Sequence, residues 1–318
     1  MEKAFQIRYI RLHFEVEFIE DTMMPVYKAS AIRGGMGEML LQANCIRDRD
    51  CEHCDFESEC LVQRILYSKM EIRPAFMTKG DSVGYVLECE DYRETFNQGD
   101  RLYFIITLFG KTIVYFAQIL DALFRLGMYG VGKNSSRYRI VGITNSRKID
   151  ILRGNDIIMK HYEVSNVADY VAYRFKYFER SMDDNVLKLT FKTPLTLKYH
   201  GEFLNDFNMD AIIAAIKRRI YMLNCFEGAD IEMNELYEGH IPIIVEEMHR
   251  RTSVPRYSNR KHEKMRLWGI KGECVVQNIT EECLKLLIAG ELLHIGKNTS
   301  FGYGRYHIHK VETTQQGS

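Results

Sequence analysis

Two stretches half a chain apart carry the same pattern. Ile119-Leu120-Asp121-Ala122-Leu123-Phe124-Arg125-Leu126-Gly127 continues through Met128 and Tyr129 into Gly130-Val131-Gly132-Lys133-Asn134-Ser135-Ser136. Cys283-Leu284-Lys285-Leu286-Leu287-Ile288-Ala289-Gly290 continues through Glu291 and Ile295 into Gly296-Lys297-Asn298-Thr299-Ser300. Each is an apolar helix, a short glycine-bearing connection, and Gly-Lys-Asn followed by two hydroxyl residues. The second copy lies 164 positions after the first in a chain of 318 residues. Self-similarity at half the chain length points to two copies of one supersecondary unit.

Strand-like residues follow both copies, Tyr138-Arg139-Ile140-Val141-Gly142-Ile143 and Arg305-Tyr306-His307-Ile308. The beginnings of the halves correspond as well. Residues 10–18 and 187–192 alternate apolar and polar, the period of a half-buried strand. The first leads to a helix start at Ala31-Ile32-Arg33-Gly34-Gly35-Met36-Gly37, running on to Leu41. The second leads to a helix over 210–223, with Ile212, Ile213, Ile216 and Ile220 on its apolar stripe and Asp206 or Asn208 near its cap. Further strands fit 83–89, 101–109 and 272–276. Each half reads strand, helix, two strands, helix, strand. The expected class is α+β, with two tandem ferredoxin-like (RRM-like, βαββαβ) domains. Their expected extents are 1–180, with a four-cysteine insertion at 45–60, and 186–312, with a glycine-rich loop at 296–306. The linker is the polar run at 179–185.

Charge narrows the partners. The net charge is zero, with 43 basic and 43 acidic residues, but the charges are segregated. Residues 250–271 hold eight basic residues and one acid, Glu263; residues 133–153 hold six against Asp150 alone. Residues 227–247 hold seven acids and neither Lys nor Arg. Blocks of opposite sign polarise a surface, and a basic face binds phosphates even on a neutral protein. Solvated faces laced with salt bridges give the same pattern. At 46% apolar and 27% charged, the chain is too apolar to be disordered. No apolar run is long enough for a membrane-spanning helix. The start, Met1-Glu2-Lys3-Ala4-Phe5-Gln6, lacks the basic-then-apolar layout of a signal peptide, so a cytoplasmic location is expected.

Four of the eight cysteines cluster: Cys45, Cys51, Cys54 and Cys60, spaced C-x5-C-x2-C-x5-C. The surrounding loop is polar (Arg47, Asp48, Arg49, Asp50, Glu52, His53), so these thiols do not simply fill a core. A Cys-x2-Cys knuckle puts two thiolates on one ion, and the outer pair completes a tetrahedral shell. Structural zinc is the expected ion, with an iron–sulfur cluster as the alternative that spacing leaves open. A metal-free or redox-active loop is the remaining reading. Cys89, Cys225, Cys274 and Cys283 read as buried small hydrophobes.

The second glycine stretch, Gly296-Lys297-Asn298-Thr299-Ser300-Phe301-Gly302-Tyr303-Gly304-Arg305-Tyr306, is dense in glycine, cations and aromatics. Glycines let backbone amides approach an anion, Lys297 and Arg305 add charge, and Phe301, Tyr303 and Tyr306 can stack on bases. Its spacing is not that of a Walker loop. A glycine-rich hairpin with packing aromatics is the plain structural alternative.

With Leu292-Leu293-His294-Ile295 before it, this stretch resembles the glycine-rich signature of the repeat-associated (RAMP) superfamily of CRISPR proteins. More specifically, the chain resembles the CRISPR repeat-processing endoribonucleases, which cut precursor CRISPR RNA. Thr193-Pro194-Leu195-Thr196-Leu197, Arg218-Arg219, Arg256-Tyr257-Ser258-Asn259-Arg260 before Trp268-Gly269-Ile270-Lys271-Gly272, and the Arg33-Gly34-Gly35-Met36-Gly37 turn are similar to the same group. The resemblance implies RNA as substrate, metal-independent attack by a 2′-hydroxyl, and products ending in a 2′,3′-cyclic phosphate and a 5′-hydroxyl. It also implies CRISPR effector or adaptation proteins as partners, and no membrane. A non-catalytic RNA-binding subunit of a CRISPR effector complex is the alternative. Many members carry a histidine in the first helix, whereas residues 30–43 here contain none. His200, in the Gly-flanked Lys198-Tyr199-His200-Gly201 loop after the second half's first strand, is ranked first as the catalytic group, with Tyr27 and Lys28 beside it; His262 and His294 are the other histidines near charged or glycine-rich sequence. Expected RNA contacts are Arg33, Arg218, Arg256, Tyr257, Arg260, Lys261, Gly296, Lys297, Phe301, Gly302, Gly304 and Arg305.

Overall fold

Alternation decides the first strand. In β1 (Arg8–Phe18), Ile10, Leu12, Phe14, Val16 and Phe18 are buried, while Arg11, His13, Glu15 and Glu17 take the other face. The computed structural model describes residues 2–51, 53–71, 73–77, 82–154, 156–179, 185–258 and 263–311. After β1 come β2 (Thr22–Met23), α1 (Lys28–Asn44), α2 (Leu61–Leu66), β3 (Tyr85–Glu88), β4 (Thr95–Phe96) and β5 (Arg101–Phe109). Then follow α3 (Phe116–Tyr129), β6 (Tyr138–Thr144), β7 (Asp150–Arg153), β8 (Asp156–Ile157), β9 (Ser165–Asn166) and α4 (Val167–Glu179). The second half runs β10 (Val186–Leu195), β11 (Lys198–Tyr199), β12 (Glu202–Phe203), α5 (Met209–Glu227), β13 (Ile243–Ser258), β14 (Glu263–Gln277), α6 (Glu281–Leu293) and β15 (Tyr306–Lys310).

The architecture is mixed α+β with antiparallel sheets. The first sheet orders its strands β3-β5-β1-β6-β7-β8, with β9 pairing β1; the second orders them β13-β14-β10-β15. Four strands of each sheet follow one path: β3-β5-β1-β6 in the first matches β13-β14-β10-β15 in the second. Helices α1 and α3 occupy the chain positions that α5 and α6 take later.

One apolar layer joins Ile32, Met36 and Leu40 of α1 with Leu123 and Leu126 of α3 over Leu12, Phe14 and Phe104. Gly35 permits this approach, since a Cβ there would lie 2.4 Å from Leu126 Cδ1. The second core packs Ile212, Ile216 and Ile220 of α5 and Leu284 and Leu287 of α6 against Leu189, Phe191 and Cys274. It also takes in Ala4, Phe5 and Ile7 from the chain start and Val167, Val171 and Phe178 from α4. Each such side chain contributes roughly 1.5–3 kcal/mol on burial.

Local signals and final elements differ at the edges. β5 covers the span expected from sequence, and α5 starts one residue early, capped by Asn208, whose side-chain oxygen accepts from the Ala211 amide at 2.9 Å. The strand expected at 272–276 is only the end of β14. The basic segment forms the two arms of a long hairpin, paired from Arg250↔Lys271 out to Ser258↔Glu263. The expected linker begins inside α4, and residues 180–184 lie outside the described residues.

Gly304 holds a left-handed φ of +67°, and a Cβ there would sit 1.7 Å from the Ile295 carbonyl oxygen. Gly304→Ala is expected to cost more than about 1 kcal/mol, seen as a lower urea midpoint. An unchanged midpoint contradicts this placement.

Candidate nucleic-acid interface

The loop carrying Tyr92 meets the second sheet. Tyr27, just before α1, sets its ring edge-on to Tyr92 with centroids 6.1 Å apart. The Lys271 ammonium lies 5.4 Å from the centre of the same Tyr92 ring. Lys271 alternates along β14 with buried Ile270, so it lies on the sheet face turned away from α5 and α6. Burial lowers its pKa, and the nearby charges of Arg250 and Lys192 push it down further. Among the described residues, none of these three cations forms a salt bridge. Gathered cations without carboxylate partners make an anion site.

Lys28 braces this seam from behind. It is completely buried; its ammonium donates to the carbonyl oxygens of Asp91 (2.9 Å) and Arg93, and lies 3.9 Å from the Asp91 carboxylate. Burial lowers its pKa. The expectation that Lys28 is a catalytic group is corrected: its donors are spent inside the protein, where they hold the loop that presents Tyr92.

Arg305 is corrected in the same way. It is 8% exposed, and its Nε lies 2.9 Å from Glu88 while its guanidinium pairs with Glu90. Arg11 grips Glu88 from the first sheet at 3.0 Å, and the His294 Nε2 lies 3.7 Å away. Burial opposes the charge on Glu88, but Arg11, His294 and Arg305 outweigh it and hold the carboxyl well below the usual range. A second cluster adjoins the first: Arg305 meets His307 at 3.1 Å, and His307, Arg174 and Tyr170 converge on Glu291. These charges join the halves.

The glycine stretch likewise turns inward. The amides of Lys297, Phe301, Gly302, Tyr303 and Gly304 donate to the carbonyls of Thr196, Asn298, Thr299, Asn298 and Pro194. They therefore do not cradle an anion, which corrects that expectation for Gly302 and Gly304. A Cβ on Gly296 would lie 2.6 Å from the Thr196 carbonyl oxygen, and one on Gly302 2.5 Å from that of Leu87. Tyr303 and Tyr306 are buried, so neither is available to stack on a base. Arg33 lies over Phe301 at 4.6 Å and donates to the Tyr85 hydroxyl at 3.1 Å, tying α1 to this stretch. Lys297 alone stays exposed there, above the Phe203 ring at 5.3 Å.

The remaining candidates scatter. His200 is exposed in the turn between β11 and β12, with φ +47° and its ring against Tyr199 at 4.1 Å. Arg218 is half-buried on α5, in the helix layer behind the sheet from Lys271. Arg256 and Tyr257 lie on β13, while Arg260, Lys261 and His262 fall outside the described residues. His294 is buried, with its Nδ1 3.2 Å from the Tyr303 carbonyl oxygen. Sequence reasoning missed Tyr92 and Lys192. Lys192 had a signal, the outward phase of a strand; Tyr92, in an irregular loop, had none.

Among the described residues, two groups have metal-type donors. The four clustered cysteines line one cavity of about 230 Å³. Asp206, Glu247 and His249 hold donor atoms within 4.8 Å of one another on the second half, and both carboxylates are exposed.

Comparisons with known proteins follow the two halves. A family described as an N-terminal domain, AF_1859_N, matches residues 6–168, and CRISPR-associated endoribonuclease Cas6 matches residues 189–306. An uncharacterized protein of Archaeoglobus fulgidus is 23% identical over 316 residues, covering 96% of this chain and 99% of its own. A partial Cas6-RT-Cas1–Cas2 complex aligns with a TM-score of 0.60 at 10% identity, over 96% of this chain and 47% of that one. This chain thus spans about half the length of that neighbour. A Cas6 product complex aligns at 0.52 and 14% identity, over 95% of this chain and 100% of that one. These structures share the fold.

Proposed function

We propose, from the premise that this chain belongs to the AF_1859_N family and resembles the CRISPR repeat-processing endoribonucleases, that it binds CRISPR repeat RNA and cuts precursor CRISPR RNA. One observation carries the reading: Tyr92 of the first half, with Tyr27 edge-on to it, lies against Lys271, beside Lys192 and Arg250 of the second. Phosphate-seeking cations stand next to aromatic faces that a nucleobase can use. The shared strand path supports reading the halves as ferredoxin-like domains over 1–180 and 186–312.

In this reading the RNA lies in the seam. Lys271, Lys192 and Arg250 hold the scissile phosphate and offset the charge that grows on it as the 2′-oxygen attacks phosphorus. The P–O5′ bond breaks, leaving a 2′,3′-cyclic phosphate and a 5′-hydroxyl. Tyr27 gives its phenolic proton to the departing 5′-oxygen and the 2′-hydroxyl gives its proton up to solvent; His200, in the turn between β11 and β12, is the competing catalytic group. Lys28 acts through Tyr92, as a positioning residue. The Tyr27 side chain supplies the proton to the leaving oxygen, so the step needs no divalent ion.

Labelled repeat RNA incubated with the protein in EDTA is expected to be cut at a defined position. The same RNA with a single 2′-deoxy residue at that position should bind and stay whole. Cleavage of the deoxy substrate, or no binding at all, overturns the reading. Tight binding without any cut favours a non-catalytic subunit of an effector complex instead, a reading supported by the absence of histidine from α1. CRISPR effector or adaptation proteins are the protein partners proposed; among the described residues no helix is long and apolar enough to cross a membrane.

A further inference from the structure

Residues 46–59 connect two packed helices, and their described residues are tied back to them mainly by Arg49 on Glu38 and by Arg64 on the Ser58 carbonyl. Among the described residues of this connection there is no helix or strand, only turns. Its large apolar side chains face solvent: Ile46 is 73% exposed and Phe56 57%. Hydrophobic burial therefore does not fix it. Yet the helices on either side belong to the first core through Met36, Met39, Leu40, Val62, Ile65 and Leu66.

The cysteines stand where this connection is anchored. Cys45 ends α1, its amide donating to the Leu41 carbonyl at 2.8 Å. Cys60 occupies the cap position of α2 and makes no side-chain capping hydrogen bond. Cys51 and Cys54 lie between them, and all four side chains border the same cavity beside Leu41, Asn44 and Asp50. All four are half-buried.

Backbone geometry points the same way. Asp48 and Arg49 both adopt left-handed φ values, +45° and +70°, which non-glycine residues rarely hold without reason. That turn delivers the Arg49 amide to the Cys45 sulfur at 3.2 Å.

We propose that Cys45, Cys51, Cys54 and Cys60 bind one zinc ion as a closed four-thiolate site that clamps the end of α1 to the start of α2. Four soft sulfur ligands suit zinc, and a filled tetrahedral shell leaves no position for water or substrate. The ion is therefore structural. Binding gathers the four thiolates around the ion at this cavity. Zinc then does for residues 46–59 what apolar contacts do elsewhere. The clamp holds the far end of α1, the helix whose first residue is the brace Lys28. The proposal does not rest on the RNA-processing reading, and its readouts contain no RNA.

The test uses the full chain purified under reducing conditions. Elemental analysis is expected to find about one zinc per chain, with Cys51→Ser and Cys54→Ser losing it and Cys89→Ser keeping it. Protein stripped by a chelator should melt lower and recover with zinc but not with magnesium. Because the serine variants can fail to fold, stripped parental protein is also loaded with cobalt, where the visible bands of a tetrahedral thiolate complex are expected. Folded protein that takes up no zinc overturns the proposal. Iron with acid-labile sulfide overturns it too, as does cobalt bound without thiolate bands. A protein that holds zinc but cuts no RNA leaves this site standing and removes only the catalytic reading.

Discussion

Tyr27→Phe is expected to slow single-turnover cleavage of repeat RNA by about 10²–10⁴-fold, the usual cost of losing one acid–base group. Affinity should stay near the parental value. The substitution removes only the hydroxyl, so the edge-on contact with Tyr92, and with it the loop braced by Lys28, is preserved. His200→Ala is the companion measurement. Exposed in a short hairpin turn, that ring does not support the fold, so any loss on its removal reports on chemistry or contact with RNA. If Tyr27→Phe cuts at the parental rate, the phenol is not the proton donor. If His200→Ala alone loses the rate, the reaction centre lies nearer Lys297 than Tyr92.

Glu88→Gln is expected to lower stability by about 3–5 kcal/mol, because it leaves the guanidinium groups of Arg11 and Arg305 facing each other in a buried junction without their shared anion. Arg8→Ala is the control. Arg8 is mostly exposed where it pairs with Glu227, so its loss should cost no more than about 1 kcal/mol. Equal urea midpoints for the two variants would show that the Glu88 junction contributes nothing special.

The same junction sets an acid response. The folded-state pKa of Glu88 is depressed, so as pH falls the unfolded chain takes up this proton first. Its stabilisation is complete above the ordinary carboxylate value of 4.5 and declines below it. His294 acts in the same direction: burial lowers its folded-state pKa beneath 6.5, so protonation near that pH also favours the unfolded chain. Stability should therefore begin to fall near pH 6.5 and fall faster below pH 4.5. Glu88→Gln should flatten the lower part of that curve, as followed by urea titrations across pH.

Much of the fold is legible in the residues, because the signals are local. Alternation in β1 and β10, the glycine-bearing helix ends and the Asn208 cap each act within a few residues. The candidate site is less so. Between Tyr27 and Ala29, a lysine reads as solvated, and only the carbonyls of Asp91 and Arg93 make Lys28 a buried brace. Arg305 sits among glycines and looks like an RNA contact until Glu88 and Glu90 arrive from the other half. The stretch 296–306 invites the same misreading, since glycines that let a backbone approach an anion equally let it approach another backbone. Lys271 was visible as part of a basic segment, but nothing near it announces Tyr92.

The shared second core also orders events during synthesis. Ala4 offers its carbonyl to Asn224, and Arg8 pairs with Glu227, so residues synthesised well before α5 find these partners only after α5 has emerged. Contacts of such sequence separation slow folding and leave apolar surface waiting. Ala4, Phe5 and Ile7 are side chains of that core left waiting.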